Sequence, residues 1–170
     1  MSTPVSALRA VAHPVRLRML SLLTGTPMSA ADLARELAIT HANASYHLRQ
    51  LVAAGQVVEA GQRQIRGGVA KLYRYPHDVK APRSRSSVED NQRYAQALFH
   101  EVQRRLADRA EKPGSRSSDL EGWVDPDTWQ RALGLLEEAS TLLHDANQPP
   151  GTAGTVHVSF STWAFRMRPS

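Results

Sequence analysis

The sequence predicts a mainly α-helical protein that carries one small β-hairpin. In the front and rear parts of the 170-residue chain, apolar residues recur every three or four positions, a spacing typical of amphipathic helices. After Gly55 this spacing changes to the alternation that is typical of strands. The predicted order is a short N-terminal helix, three helices, a hairpin and two longer helices, with a strand-like segment near the C-terminus.

The composition is that of a globular protein with one domain, or with one small domain and an appendage. Hydrophobic residues make up 41% and charged residues 22% of the chain, which excludes a wholly disordered or collagen-like protein. The absence of cysteine excludes disulfides and thiolate metal sites and favours a reducing, cytoplasmic compartment. Because the chain has no long apolar run and no basic start followed by an apolar stretch, we expect no membrane span and no secretory signal.

Capping residues mark the helices of the front part. Ser29 and Asp32 form a Ser-x-x-acid signature at the start of the second of the three helices that follow the short N-terminal helix. This signature predicts a helix start, because each side chain can accept a hydrogen bond from a backbone N–H that the first turn leaves unpaired. Thr40 is suited to cap the third helix, which is predicted over residues 41–54, and Gly55 ends it. The connection between the second and third helices is therefore short.

The predicted hairpin follows the third helix directly. Val57 and Val58 belong to a short strand, residues 61–69 are predicted to form a loop rich in Gly and Arg, and residues 70–75 alternate as the returning strand. Arg63 and Arg66 are expected at the tip and Lys71 on the returning strand. The hairpin is therefore predicted to be basic.

A segment rich in Pro, Ser and Arg at residues 81–87 is predicted to be a linker. It divides the chain into a front domain, residues 1–80, and a C-terminal region, residues 88–170. The front domain holds ten Lys and Arg against four Asp and Glu, whereas residues 121–170 hold three against six. The net charge of +5 is therefore concentrated in the front domain, which favours a polyanionic partner for that part.

The C-terminal region is predicted to form two helices and a terminal strand. The helices are expected over residues 88–110 and 126–146, and the strand over residues 155–165. Half of the ten aromatic residues lie in the last third of the chain, namely Trp123, Trp129, Phe160, Trp163 and Phe165. We interpret them as core and dimer packing, and the alternative is a pocket for a small-molecule effector of unidentified nature.

The third helix has a face suited to the major groove of DNA. At 100° per residue, Ala44, Leu48 and Leu51 fall on one side, where they can anchor the helix. The opposite side carries short donors and acceptors with one long Arg, a set that can read base edges. A basic hairpin directly after such a helix can follow phosphates. The expected DNA-binding residues are Thr40, His41, Asn43, Ser45, Tyr46, Arg49, Gln50, Arg63, Arg66 and Lys71.

The segments HPVRLRMLSLL, SAADLARELAITHANASYHLRQLVAAGQVVEA and AKLYRYP resemble the ArsR-type winged helix-turn-helix of prokaryotic transcription regulators. The resemblance covers about residues 5–76. It implies a homodimer in which Ser45, Tyr46 and Arg49 lie near base edges and Arg63, Arg66 and Lys71 lie on the wing, as the hairpin of this fold is called. The rear half is similar to winged-helix regulators that carry an extra C-terminal helical region.

No catalytic site, metal site or cofactor is expected. His100 and Glu101 begin an H-E-x-x-H string, but Arg104 replaces the second histidine. The polar face of the last helix has a single histidine, His144, and is interpreted as a solvated surface rather than a metal site.

We interpret the chain as a dimeric, cytoplasmic repressor that binds double-stranded DNA sequence-specifically. The alternative is a winged-helix module that binds another protein and not DNA, since fold alone does not establish function.

Overall fold

The computed structural model describes residues 7–76, 86–111 and 114–168. In chain order its elements are α1 (Ala7–Val11), α2 (Pro14–Gly25), α3 (Ala30–Leu37), α4 (His41–Ala53), β1 (Val58–Ile65), β2 (Gly68–Arg74), α5 (Val88–Ala107) and α6 (Pro126–Asp145). The mainly helical class, the hairpin and the two C-terminal helices are confirmed. The predicted linker lies outside the described residues except for its last two positions.

Side-chain caps fix the starts of the helices. The Ser29 hydroxyl accepts a hydrogen bond from the Asp32 amide at 3.2 Å, and Asp32 accepts one from the Ser29 amide at 3.0 Å. Ser87 and Asp90 form the same reciprocal capping box at the start of α5. Asp125 caps α6 by accepting from the Thr128 amide at 2.9 Å. Each cap satisfies backbone donors that the first turn of a helix leaves unpaired.

The turn between α3 and α4 depends on Ala38. This residue has φ +53°, and it is the one non-glycine with positive φ in the described ranges. A left-handed conformation costs a residue with a Cβ about 1–2 kcal/mol. The Ile39 amide offsets that cost by donating to the Ala34 carbonyl at 3.0 Å, which closes α3 and lets α4 begin two residues later.

The hydrophobic core lies among α2, α3 and α4. Its fully buried side chains include Met19 and Leu23 from α2, Leu33 from α3, Leu51 from α4, and Val57 at the start of the hairpin. α5 packs against α1 and α2. The core therefore holds α4 by one side only and leaves its other side at the surface.

The wing is a two-stranded antiparallel ribbon with a two-residue turn at Arg66 and Gly67. The predicted loop over residues 61–69 is therefore wrong, because paired strand fills most of it. Gln62 to Ile65 lie opposite Lys71 to Gly68 in the ladder. β1 is exposed along its whole length, so it needs no apolar alternation, and its polar residues gave no strand pattern.

The wing is attached to the helical part by backbone hydrogen bonds. Met28, between α2 and α3, forms a bridge with Tyr73 of β2, with N–O distances of 3.0 and 2.9 Å. The Tyr75 amide also donates to the Leu23 carbonyl at 3.0 Å. These bonds fix the base of the hairpin beside the start of α3.

The predicted terminal strand is wrong, since residues 155–165 form no strand. A strand needs a ladder partner. Within the described ranges, β1 and β2 pair with each other and β2 also bonds Met28.

The aromatic residues of the C-terminal region are not buried in a core either. Trp123 is 94% exposed, and Trp163 packs at the surface against Tyr94 and Phe165, with ring centroids 5.5 and 6.3 Å apart. α6 has no buried residue. Among the described helices, none is long and apolar enough to cross a membrane.

Candidate nucleic-acid interface

The helix α4 has one buried side and one exposed side. Ala44, Leu48 and Leu51 are buried, which confirms the side that sequence periodicity assigns to the core. α3 packs against this helix. Thr40 caps it, accepting a hydrogen bond from the Asn43 amide at 3.2 Å. The short α3–α4 turn and this cap together place the start of α4 at the surface.

The exposed side of α4 carries most of the predicted reading residues. Asn43, Arg49 and Gln50 are exposed, Tyr46 is 51% exposed, and Ser45 is partly buried. Arg49 makes no ion pair with any described residue. The face therefore combines amide, hydroxyl and guanidinium groups, which can donate to and accept from base edges. The two further predicted residues at the helix start, Thr40 and His41, are also exposed.

Behind the exposed side of α4, its residue His47 lies against His13, the residue that caps α2. Their ring centroids are 4.5 Å apart, and Tyr46 meets His47 edge-on at 5.2 Å. The His47 Nδ1 is buried with no hydrogen-bond partner, whereas the His13 Nδ1 accepts from the Val15 amide at 3.2 Å.

Burial lowers the pKa of both histidines. The positive charge of His13 and that of Arg16 lower the pKa of His47 further, and Arg16 also lowers the pKa of His13. Each additional charge is unfavourable in this partly desolvated space. Burial and the neighbouring positive charges therefore favour the neutral form of both histidines.

Arg63 does not lie at the tip of the wing. It belongs to β1, opposite Ala70, and its Nη2 donates to the Asp32 Oδ2 at 2.6 Å. Asp32 also accepts from Arg35 at 2.9 Å, in addition to the bonds of its capping box. Burial acts to raise the pKa of Asp32, but the hydrogen bonds from Ser29, Arg35 and Arg63 outweigh it and hold the pKa well below its ordinary range.

The other two wing residues predicted to bind DNA, Lys71 and Arg66, differ in their pairing. Lys71 donates to Glu59 on the neighbouring strand at 3.0 Å, and this hydrogen bond and the charge of Glu59 raise the pKa of Lys71. Arg66 lies in the turn and has no ion pair among the described residues. Of the three wing residues predicted to bind DNA, Arg66 at the tip has no ion pair among the described residues, whereas Arg63 and Lys71 are paired with carboxylates of the protein.

Sequence reasoning missed three residues of this region. Asp32 was interpreted only as a cap, and neither Glu59 nor Arg16 was assigned a role. The Ser-x-x-Asp signature contains the signal for Asp32, but its pairing with Arg63 joins positions 31 residues apart. Such a pair depends on the register of the hairpin and cannot be read from local spacing.

The fold and the geometry of this surface define a helix-turn-helix domain followed by a β-hairpin wing. In agreement, residues 11–58 match a family model described as a helix-turn-helix domain. The match runs from the end of α1 through α2, α3 and α4 to the first residue of β1. No curated protein matches the chain significantly.

Proposed function

We propose that this protein is a dimeric, cytoplasmic transcription repressor of the ArsR type that binds double-stranded DNA sequence-specifically. The observation that carries the proposal is the two-sided character of α4. Its apolar side is buried against the core, its polar side is exposed, and a basic wing follows it in the chain. The helix-turn-helix match over residues 11–58 supports DNA as the partner.

The exposed side of α4 would enter the major groove, which is about 12 Å wide and admits one helix. Arg49 can bond guanine bidentately, and Asn43 or Gln50 can bond adenine in the same way. Ser45 and Tyr46 lie on the same part of the helix, where their hydroxyls can reach bases or phosphates. The unpaired state of the Arg49 guanidinium supports this role, since no internal carboxylate competes for it.

Phosphates would be bound at both ends of this surface. Thr40 and His41 lie at the N-terminus of α4, where the helix dipole and the first amides favour an anion. Arg66 at the wing tip can reach the flanking backbone, because its guanidinium is not engaged by the protein. Arg63 and Lys71 complete the basic wing, and their ion pairs with Asp32 and Glu59 orient it.

Dimerisation would use the C-terminal region together with α1. The apolar residues that α6 leaves exposed include Leu135, Leu142 and Leu143. Exposed apolar faces of this kind are typical of interfaces between subunits. A two-fold dimer would place two copies of α4 in successive major grooves, about one helical turn of DNA apart, on a palindromic site.

Selection of bound fragments from a random duplex pool tests the proposal directly. We expect a palindromic consensus with half-sites separated by about 10 base pairs. Arg49→Ala should then weaken binding by about 1–3 kcal/mol and relax the preference at one base pair. Arg131→Ala, on the exposed surface of α6, is the matched control and should leave the preference for each base pair as it is in the wild type.

The salt dependence separates this function from that of a protein-binding module. Binding of duplex should weaken with salt, with a log–log slope of about −0.9 for each phosphate neutralised. A folded, dimeric protein that binds no duplex from the pool at low salt would exclude the repressor and favour the protein-binding alternative.

A further inference from the structure

A cavity of about 440 Å³ lies behind the C-terminal half of α4, between that helix and α1, α2 and α5. Three arginines from three different helices line it: Arg9 of α1, Arg16 of α2 and Arg93 of α5. Gln50 of α4 adds an amide, and the other four lining residues are alanines. The lining therefore combines three positive charges with short apolar walls and contains no acidic residue.

Arg16 has an unmet donor at this cavity. Its Nε is buried and has no hydrogen-bond partner, although its Nη2 donates to the Arg9 carbonyl at a long 3.4 Å. A buried N–H without a partner costs free energy, and the cost is larger when the group is charged. Because most buried polar groups are satisfied, this guanidinium points to an acceptor that the protein itself does not supply.

Arg93 is only loosely neutralised from outside the cavity. It pairs with Glu89, one turn earlier on α5, at 2.6 Å. Both side chains of that pair are at least half exposed, so water screens the attraction and the pair contributes little. Arg93 can therefore turn to a second anion at the rim without the loss of a strong internal bond.

We propose that this cavity binds a small organic anion that has a carboxylate or phosphate group and a compact apolar body. Guanidinium groups form short, charge-assisted and often bidentate hydrogen bonds to both kinds of anionic group. The cavity volume falls in the range of small-molecule sites, which leaves space beyond the anionic group. Ala10 and Ala12, at the end of α1 and just after it, and Ala53 and Ala54, at the end of α4, give that space apolar walls.

The site shares Gln50 with the surface of α4 proposed to contact DNA. A bound anion that accepts from the Gln50 amide would withhold it from the bases. Because coupling between two sites is reciprocal, the anion should weaken DNA binding and DNA should weaken anion binding. This regulatory step rests on the proposed function, whereas binding of the anion does not.

The test uses the full chain without DNA and three probes of similar size: benzoate, phenyl phosphate and the neutral benzamide. Calorimetric titration should show binding of benzoate, phenyl phosphate or both, and bound anion should raise the unfolding temperature. Benzamide should not bind. The stronger of the two anions identifies whether the site prefers a carboxylate or a phosphate.

Arg16→Gln keeps the length and polarity of the side chain but removes its charge, and it should weaken binding of the anionic probe at least about tenfold. Arg93→Gln, at the more exposed rim, should weaken it less and serves as the second variant if Arg16→Gln does not fold. Arg131→Gln on α6 is the matched control and should bind the probe unchanged.

Failure of both anions to bind the folded wild type at millimolar concentration would overturn the proposal, as would equal binding of benzamide. Undiminished binding by both Arg16→Gln and Arg93→Gln would also overturn it. If the anion binds but no duplex does, the site stands and the proposed DNA-binding function fails. If the anion and the DNA duplex both bind and neither changes the affinity for the other, only the regulatory coupling through Gln50 is wrong.

Discussion

Arg63 of the wing and Asp32 in the first turn of α3 form an ion pair, with 2.6 Å between the Arg63 Nη2 and the Asp32 Oδ2. Asp32 is at the same time the acidic member of the capping box that starts α3. One carboxylate therefore stabilises the first helix of the helix-turn-helix and holds the wing beside it. The pair adds a side-chain contact between the wing and α3 to the backbone bridge of Met28 and Tyr73.

Asp32→Asn should lower the free energy of unfolding by about 2–3 kcal/mol, since it removes the charge from several hydrogen bonds to a buried group. The pKa of Asp32 is lowered in the folded protein, so its contribution is present above the ordinary carboxyl pKa of about 4 and is lost as the pH falls below it. Urea unfolding at pH 7 and at pH 3.5 measures both effects. Asp127→Asn in the exposed first turn of α6 is the control, and an equal loss there would contradict the assignment.

The wing arginines should differ in their effect on the salt dependence of DNA binding. Arg66→Ala should weaken binding on every sequence and reduce the slope by about one unit, as expected when one phosphate contact is lost. Arg63→Ala should change the slope less, because Asp32 already neutralises this guanidinium. It should instead lower stability by about 1 kcal/mol, a value that allows for its half-exposed side chain. Titration of labelled duplex at several salt concentrations checks this, and identical slopes for the two variants would contradict it.

Acidification should destabilise the protein through His13 and His47. Because burial lowers the pKa of both in the folded protein, the unfolded chain takes up protons at a higher pH than the folded one. Their stabilising contribution is therefore complete above the ordinary value of 6.5 and is lost as the pH falls below it towards the lowered pKa values.

The free energy of unfolding measured from pH 7.5 to pH 5 reports this loss. His47→Gln should make the dependence on pH shallower, whereas His100→Gln, on the exposed surface of α5, should leave it as in the wild type. Equal pH dependence of wild type and His47→Gln would show that the histidine pair does not carry the effect.

Two leucine variants separate the core from the proposed subunit interface. Leu51→Ala should cost about 2–5 kcal/mol of stability, because Leu51 is fully buried and its loss leaves a cavity. Leu142→Ala should change the stability of the monomer by less than about 0.5 kcal/mol, since the side chain is 67% exposed. Leu142→Ala should also raise the dissociation constant of the proposed dimer, which sedimentation equilibrium measures. Unchanged association would remove this part of α6 from the interface.

Local sequence signals were sufficient for the helices of the front domain. The caps at Ser29 and Thr40 and the buried positions of α4 were predicted and are confirmed, because capping and periodicity act over a few residues. The extent of the hairpin was not predicted correctly. β1 is stabilised by pairing with β2, and pairing leaves no composition signal in a strand that is exposed along its whole length.

The sequence by itself determined which segments form helices, where α2 to α6 begin, and which side of α4 turns to the core. The tertiary structure decided which charged side chains meet. It pairs Arg63 with Asp32 and Lys71 with Glu59, and it brings three arginines to one cavity. It also decided that residues 155–165 have no ladder partner. The physical reason is range: hydrogen bonds within a helix turn join near neighbours in the chain, whereas ion pairs, strand pairing and cavities depend on how distant segments are packed.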